Sequence, residues 1–202
     1  MHAVSLRTFI DNYTPINIYI VWPYLACLFY VPFSGILYAF NRRISAIQVL
    51  SFYFSVVFIY VFTYAIYLVF PTTASGVMLT SYDPTSHVFV SEGMFKDLQG
   101  LYLSSTPLGD FPSLHVAPLV FMGIFLFKRW RSLFWIFLPL AFFGAIGTFM
   151  LKFHTFAGFL GGAVMGVIGY YIFYEKVVQK YLNKFFLSKE EALEINTTGK
   201  NL

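Results

Sequence analysis

The sequence predicts an all-α, polytopic membrane protein, a helical bundle with about five transmembrane helices. Of its 202 residues, 58% are hydrophobic and only 11% are charged. A soluble domain carries roughly a quarter of charged residues, because its surface must be wetted. The apolar residues also form runs close to the length of about 20 residues that a helix needs to cross the hydrocarbon core. Most side chains are therefore expected to face lipid or other helices.

Five apolar segments supply the predicted spans. They are Ile16–Phe40, Ile44–Phe70, Ser113–Phe127, Leu133–Leu151 and His154–Tyr174. The third is short, so either the bilayer thins around it or protein surrounds its polar start. The spans form one transmembrane domain over residues 1–186, in which a long polar loop separates the second span from the third. The polar tail 187–202 is predicted to be disordered.

The positions of the basic residues predict how this bundle is oriented. Arg and Lys cluster at residues 42–43, 128–131 and 176–184. With five spans, all three clusters lie on one side of the membrane, which the positive-inside rule makes cytoplasmic. The C-terminal tail is then cytoplasmic. Small size and a single domain are typical of the bacterial inner membrane, which is the location we expect.

Charge and cysteine content argue against two other classes of protein. The net charge is +4, but no dense Lys/Arg cluster alternates with aromatic residues as a nucleic-acid surface requires. Cys27 is the single cysteine and lies inside an apolar run, so it can form no disulfide within the chain and suggests no cysteine-based metal site. We therefore expect membrane lipids, and not nucleic acid, as partners. The oligomeric state stays open.

Two histidines are expected at the same face of the membrane. His115 begins the third span and His154 begins the fifth, and both spans start on the outer side. Ser113 and Lys152 each lie two residues before one of these histidines. Singly, a histidine can anchor a helix at the interface, a lysine can set topology and a serine can cap a helix. Ionisable groups grouped at a membrane boundary are costly unless they are used, so together they form a candidate site.

This group of side chains suits phosphoryl transfer or acid–base chemistry. One imidazole can attack phosphorus as a nucleophile, and the other can protonate the leaving oxygen because it titrates near working pH. A lysine and the N–H groups at a helix N-terminus can hold phosphate oxygens. A metal site is the weaker alternative, because the spacing of its possible ligands matches no compact motif. Those ligands would be His87, Asp110, His115 and His154.

Residues 111–115, Phe-Pro-Ser-Leu-His, resemble the Pro-Ser-x-His motif of the type 2 phosphatidic acid phosphatase superfamily. Their form is most similar to the branch that contains inositol-phosphorylceramide synthases and many bacterial relatives. Residues 152–154, Lys-Phe-His, followed by two glycines at 161–162, are similar to the third motif of that superfamily. Residues 70–72, Phe-Pro-Thr, are weakly similar to its first motif. The resemblance covers roughly residues 44–174.

The resemblance implies a phosphatidic-acid-phosphatase-like core and a role for each site residue. His154 would be the nucleophile that forms a phospho-histidine, and His115 would be the general acid for the leaving alcohol. Ser113 and Lys152 would bind the phosphate. The superfamily uses no metal and no cofactor, and it often acts on lipid phosphates from the outer leaflet. Water completes a phosphatase cycle, whereas a lipid alcohol completes a transferase cycle.

The chain departs from the superfamily pattern at charged positions. The aspartate that orients the nucleophilic histidine falls at Gly158, and the arginine six residues before that histidine falls at Thr148. The cations of the first motif are absent. An acid of the long loop can orient His154 instead, and the sequence leaves the choice open. The candidates are Asp83, Glu92 and Asp110.

Gly158 also has a structural interpretation. Gly158, Gly162 and Gly166 recur every four residues on one face of the fifth span. A stripe of small residues lets two helices approach closely in lipid. The stripe therefore predicts that the fifth span packs closely against a neighbouring helix.

Two classes of function remain open at this point. The first is an integral-membrane phosphatase or phosphotransferase, which the two retained histidines favour. The second is a non-catalytic lipid-binding relative that kept the fold and lost part of the phosphate clamp. A transporter is a third and weaker reading, because no charged residue lies at mid-membrane, where a coupling site is usually built.

Overall fold

The computed structural model describes residues 4–5, 29, 33, 35–37, 40, 46–73, 96, 109–151, 153–178, 180–182 and 184–185. Most of the described residues are helical, which confirms the all-α class. The elements in chain order are β1 (Val4–Ser5), α1 (Ala46–Val69), β2 (Thr72–Thr73), α2 (Val116–Arg129), α3 (Arg131–Met150) and α4 (Phe156–Ile168). A π-helical segment, Gly169–Val178, continues α4 directly.

Three helices in the described part of the chain are long and apolar enough to cross a membrane. They are Ala46–Val69, Arg131–Met150 and Phe156–Leu182, the last comprising α4 and its continuation. These helices overlap the predicted second, fourth and fifth spans. The predicted first span lies mostly outside the described residues, as does the tail 187–202, so the count of five stays a prediction.

The predicted third span, Ser113–Phe127, corresponds to α2, which begins three residues later and ends two residues later. α2 has 14 residues, which is about 21 Å at 1.5 Å per residue and less than the hydrocarbon thickness of about 30 Å. Its polar start is surrounded by protein, since Asp110 and Ser113 are fully buried. Of the two explanations that the sequence left open, burial of the polar start is the one that the structure shows.

α2 lies at the centre of the described bundle and packs against α3 and, most extensively, against α4. Its aromatic residues Phe121 and Phe125 pack with Tyr174 of the π-helical segment, and all three are fully buried. The outer helices show the opposite pattern: Leu68 of α1 is 77% exposed and Ile136 of α3 is 69% exposed. Apolar side chains in such numbers on an outer surface are expected where lipid covers them.

The glycine stripe of α4 faces α2, as the close-packing prediction requires. A Cβ atom at Gly162 would lie 2.7 Å from the Ser113 carbonyl oxygen, and one at Gly166 would lie 2.7 Å from the Val120 Cβ. Real Cβ atoms do not approach that closely, so only glycine permits this separation of the two helices. The close contact brings the N-terminal ends of α2 and α4 side by side.

A short extended segment after α1 holds the chain that leads into α2. β2 pairs in parallel with β1, and Thr72 forms a β-bridge with Gly109. The Thr72 carbonyl accepts a hydrogen bond from the Asp110 N–H at 3.2 Å, and the Thr72 hydroxyl accepts one from the Phe111 N–H at 2.8 Å. The Tyr67 hydroxyl donates to the Pro112 carbonyl at 2.6 Å. These bonds fix residues 109–113 against the end of α1.

Candidate active site

His115 and His154 meet at the end of the bundle where α2 and α4 begin. The Nδ1 atom of His115 lies 3.0 Å from the Nε2 atom of His154. His115 immediately precedes α2, whereas His154 lies between α3 and α4, where its N–H donates to the Thr148 carbonyl at 3.1 Å. His154 is 4% exposed and His115 is partly buried. Two residues that are 39 positions apart are thus in direct contact.

The hydrogen bonds of His154 determine where the protons of the pair lie. Its Nδ1 atom is 3.0 Å from the backbone carbonyl oxygen of Asp110, which can only accept. His154 therefore carries its proton on Nδ1, and in the neutral ring the Nε2 lone pair is left as an acceptor. The Nδ1 of His115 must then be the donor in the bond between the histidines. One ring presents a lone pair and the other presents a proton at the same point.

Asp110 lies behind His154 and is fully buried. Its Oδ1 atom is 3.6 Å from the His154 Nδ1 and accepts a hydrogen bond from the Thr155 N–H at 2.7 Å. Its Oδ2 atom accepts a hydrogen bond from the Thr155 hydroxyl at 2.5 Å. Thr155 is also the N-cap of α4, where its hydroxyl accepts from the Gly158 N–H. The carboxylate is therefore held by the residue that starts α4.

The chain around Asp110 explains why position 158 is a glycine. A Cβ atom there would lie 2.8 Å from the Asp110 Oδ1 and in closer conflict with the Asp110 backbone oxygen. The Gly158 carbonyl also accepts a hydrogen bond from the Ser113 N–H at 2.9 Å. Residues 110–113 thus occupy the space in which a side chain at 158 would lie.

Burial affects the proton affinity of His115, which precedes α2 and lies outside the three membrane-length helices. Desolvation, followed by the proximity of His154, lowers the pKa of His115 to about 3. His115 is then neutral in the free protein at neutral pH. This agrees with the hydrogen-bond pattern, in which each ring needs only one proton.

The other two predicted site residues are Ser113, which the structure describes, and Lys152, which it does not. The hydroxyl of Ser113 accepts a hydrogen bond from the Val116 N–H at 3.3 Å, so Ser113 helps to start α2 as a capping serine does. It still has its own hydroxyl proton to donate. Lys152 lies outside the described residues, as do Asp83, Glu92 and His87. A phosphate-binding role for Ser113 and Lys152 stays a prediction.

The described residues contain no group of three His, Cys, Asp or Glu side chains placed to hold a metal ion. The alternative metal site used His87 as one ligand, and that residue is not among those described. The three other proposed ligands converge, but Asp110 turns its carboxylate to Thr155.

Three supporting residues were missed at the sequence level: Tyr67, Thr72 and Thr155. Thr155 had a usable signal, because a threonine directly before an apolar run is a typical N-cap. Thr72 lies in the weakly matched first motif, which pointed to the region and not to a role. Tyr67 had no signal, because its hydrogen bond to Pro112 joins residues 45 positions apart.

Known proteins resemble this chain at the level of the family. A family model described as the PAP2 superfamily matches residues 1–172. No curated protein and no solved structure matches the chain significantly. The branch with inositol-phosphorylceramide synthases is not distinguished by this match and stays a prediction. Because the match covers most of its length, the chain belongs to the PAP2 superfamily, the type 2 phosphatidic acid phosphatases.

Proposed function

We propose that this protein is an integral-membrane phosphatase or phosphotransferase that acts on a lipid phosphate or phosphodiester through a phospho-histidine. Membership of the PAP2 superfamily supports a phosphatase-like function on lipid phosphates. The observation that carries the proposal is the 3.0 Å contact between the His115 Nδ1 and the His154 Nε2. It puts the lone pair of the His154 Nε2 beside a second imidazole that can act as the acid once it is protonated.

The proposed reaction has two steps. In the first, the His154 Nε2 attacks phosphorus, the N–P bond forms, and the P–O bond to the leaving alcohol breaks. The alcohol oxygen takes a proton from His115, which is protonated when the phosphate is bound and becomes neutral in this step. In the second, water or an acceptor alcohol attacks the phospho-histidine and gives its proton to His115. The N–P bond breaks and both histidines return to their starting state.

Substrate binding must separate the two rings, since the phosphoryl group has to lie between the His154 Nε2 and the His115 Nδ1. A phosphate brings negative charge into a buried site, and that charge favours a protonated His115. The site then offers the lone pair of the His154 Nε2 as the nucleophile and a protonated His115 as the acid. Ser113 can donate its hydroxyl proton to a phosphate oxygen, and we assign the remaining charge of the clamp to Lys152.

An apolar groove beside the histidines supports a lipid as the substrate. It has a volume of about 490 Å³ and lies between α1, residues 111–112 and α4. Its lining includes Phe62, Pro112, Leu160 and Val164. The groove is open at the outer surface, where lipid would surround the bundle, and Pro112 is adjacent to Ser113. It can therefore take an acyl chain while the headgroup phosphate reaches the histidines.

The positions of the basic residues and the resemblance to the PAP2 superfamily also favour an extracytoplasmic site. We expect the basic end of the bundle to be cytoplasmic. Lys128, Arg129 and Arg131 lie at the junction of α2 and α3. The histidines lie at the other ends of α2 and α3. The orientation can be tested by labelling an introduced cysteine with a membrane-impermeant reagent. We expect an Arg131→Cys variant to be labelled from the cytoplasmic side only. Ser113 is unsuitable for this test because it is fully buried.

The direct test is phosphate release from a panel of lipid phosphates in detergent, with and without a lipid alcohol as acceptor. His154→Ala and His115→Ala should each abolish turnover while the protein stays folded. His87→Ala is the matched histidine control and should retain turnover. Full activity in either of the first two variants would rule out the assigned mechanism, and loss of activity in the control would return weight to the metal alternative.

The groove has a separate test. Val164→Trp places a bulky ring in the groove, and we expect it to lower the rate with long-chain lipid phosphates more than with short-chain ones. Ile136→Trp on α3, at an exposed apolar position outside the groove, is the control and should leave both rates unchanged. Equal losses on long and short chains would contradict the role of the groove.

The second candidate is a non-catalytic lipid-binding relative, favoured by the replacement of two charged family positions by Thr148 and Gly158. Covalent trapping discriminates the two, because a phospho-histidine is acid-labile. Acid-labile phosphate on the wild type, and none on His154→Ala, would exclude the binder. A bound lipid with no covalent phosphate from any substrate would favour it.

A further inference from the structure

The buried polar group behind His154 contains a carboxylate that the proposed mechanism does not yet use. Asp110 is fully buried, and its Oδ1 atom lies 3.6 Å from the ring nitrogen of His154 that carries the proton. A buried carboxylate is retained in proteins when it is paired and hydrogen-bonded. Here Thr155 holds both of its oxygens.

We propose that Asp110 is the positioning residue of His154 and replaces the orienting aspartate that the superfamily pattern expects at position 158. The inference rests on the proposed function and specifies how the nucleophile is held. Asp110 precedes His115 by five positions, whereas the expected position follows His154 by four. The proposed orienting carboxylate therefore comes from the segment before α2 and not from α4.

The contacts of Gly158 carry this replacement. A Cβ atom at Gly158 would lie 2.8 Å from the Asp110 Oδ1, so the two side chains cannot both occupy this space. The Asp110 backbone oxygen would be closer still, so the chain at position 110 excludes any side chain at 158. An aspartate at 158 therefore cannot lie behind His154 in this fold, and Asp110 supplies the carboxylate there instead.

Asp110 acts on His154 through two groups. Its backbone carbonyl accepts the Nδ1 proton at 3.0 Å and so leaves Nε2 as the nucleophile. Its carboxylate faces the same nitrogen and stabilises the positive charge that the ring gains when Nε2 bonds to phosphorus. Substitution of the side chain removes the second effect and leaves the first, so a change of charge can be separated from a change of tautomer.

Thr155 determines how the carboxylate is oriented. Its N–H and its hydroxyl bind different oxygens of Asp110, at 2.7 Å and 2.5 Å. Thr155→Val removes the hydroxyl bond to Asp110 and the N-cap bond from the Gly158 N–H, and keeps the bond from its own N–H to Asp110. Thr155→Ser keeps both. Thr63 on α1 is a matched control, because it is equally buried and its hydroxyl has no hydrogen-bond partner within the described part of the chain.

The experiment compares two probes of the purified protein that do not depend on the identity of the lipid. Orthovanadate can form a five-coordinate adduct on a nucleophilic histidine and mimics the transition state, whereas inorganic phosphate mimics the ground state. Vanadium NMR and calorimetry give the two dissociation constants. Asp110→Asn keeps the size of the side chain and one acceptor oxygen for the Thr155 N–H, but it removes the charge and replaces the second acceptor with an amide donor.

We expect Asp110→Asn to weaken vanadate binding about 100-fold, comparable with the loss of one electrostatic partner of a transition state. Phosphate binding should change by less than about 3-fold, since the ground state leaves the ring uncharged. Thr155→Val should weaken vanadate binding about 10-fold. Thr155→Ser and Thr63→Val should each stay within about 2-fold of wild type.

The outcomes separate this inference from the proposed function. If the wild type binds no vanadate and forms no phospho-histidine, the proposed function fails and the inference fails with it. If the wild type binds vanadate and Asp110→Asn binds it equally well, only the inference is overturned. A parallel loss of vanadate and phosphate binding, with a lower melting temperature, would show that Asp110 is merely structural and would also overturn it.

Discussion

The two ends of the helical bundle differ in how deeply their polar side chains are buried. At the histidine end, Asp110, Ser113 and Thr155 are fully buried, and the side chain of each is hydrogen-bonded. At the basic end, Lys128 and Glu175 form an ion pair at 3.7 Å with side chains that are 39% and 33% exposed. Buried polar groups are costly if a partner is removed, whereas partly exposed ion pairs contribute little. The difference indicates that the histidine end is the part of the molecule built for precise geometry.

The largest effect on stability is expected at Gly158. Gly158→Leu forces a side chain against Asp110 and should lower the free energy of unfolding by about 3 kcal/mol, the upper range for overpacking. Gly123→Ala in α2 is the control, because a Cβ atom there meets nothing within 4 Å. The control should be neutral or stabilising by up to about 1 kcal/mol. Thermal unfolding in detergent measures both, and equal stability of the two variants would break the comparison.

A pH effect is expected from His115. Its pKa is lowered from 6.5 to about 3 in the folded protein, so the unfolded chain binds more protons between these values. Folding stability is therefore complete above about pH 6.5 and falls as the pH decreases toward 3, by up to about 1.4 kcal/mol per pH unit for one group. Unfolding measured from pH 7 to pH 4 should show a steeper loss for wild type than for His115→Gln. Parallel curves would contradict the burial of a neutral imidazole.

A smaller loss is expected from Tyr67→Phe, which removes the hydroxyl that donates to the Pro112 carbonyl. The carbonyl is left without that donor, and the expected destabilisation is about 1–2 kcal/mol. Activity should fall together with stability, since residues 109–113 lose one of their attachments to α1. Tyr53→Phe, at an exposed position of the same helix, is the control. An equal loss in both variants would show that the bond to Pro112 has no special role.

The smallest effect is expected at the basic end. Lys128→Gln removes the ion pair with Glu175 and the contacts of the ammonium group with the rings of Tyr170 and Tyr171. Because the pair is partly exposed, the free energy of unfolding should fall by no more than about 1 kcal/mol. High salt should reduce the difference further. If Lys128→Gln lowered the free energy of unfolding more than Tyr67→Phe does, the basic end would contribute more to stability than the histidine end, contrary to this comparison.

The positions of the predicted spans and of the glycine stripe follow from periodicity and run length, which are local properties of a sequence. The second, fourth and fifth spans overlap membrane-length helices, and the stripe at Gly162 and Gly166 does face a neighbour. The start of α2 was predicted less well. The predicted span begins at Ser113, whereas the helix begins at Val116, because residues 110–113 are held in a non-helical arrangement by contacts with α1 and α4.

The sequence by itself determined that this is a helical membrane protein of the PAP2 superfamily with His115 and His154 as its candidate site, since composition, run length and a short motif carry that information. It left three acids as partners for His154. Only the tertiary structure shows that Asp110 lies beside His154, because this depends on how closely α4 approaches α2 and on the space that a glycine leaves at position 158. Contacts between residues 44 and 45 positions apart have no signature in a single sequence, and they are the ones that join Asp110 to His154 and Thr155.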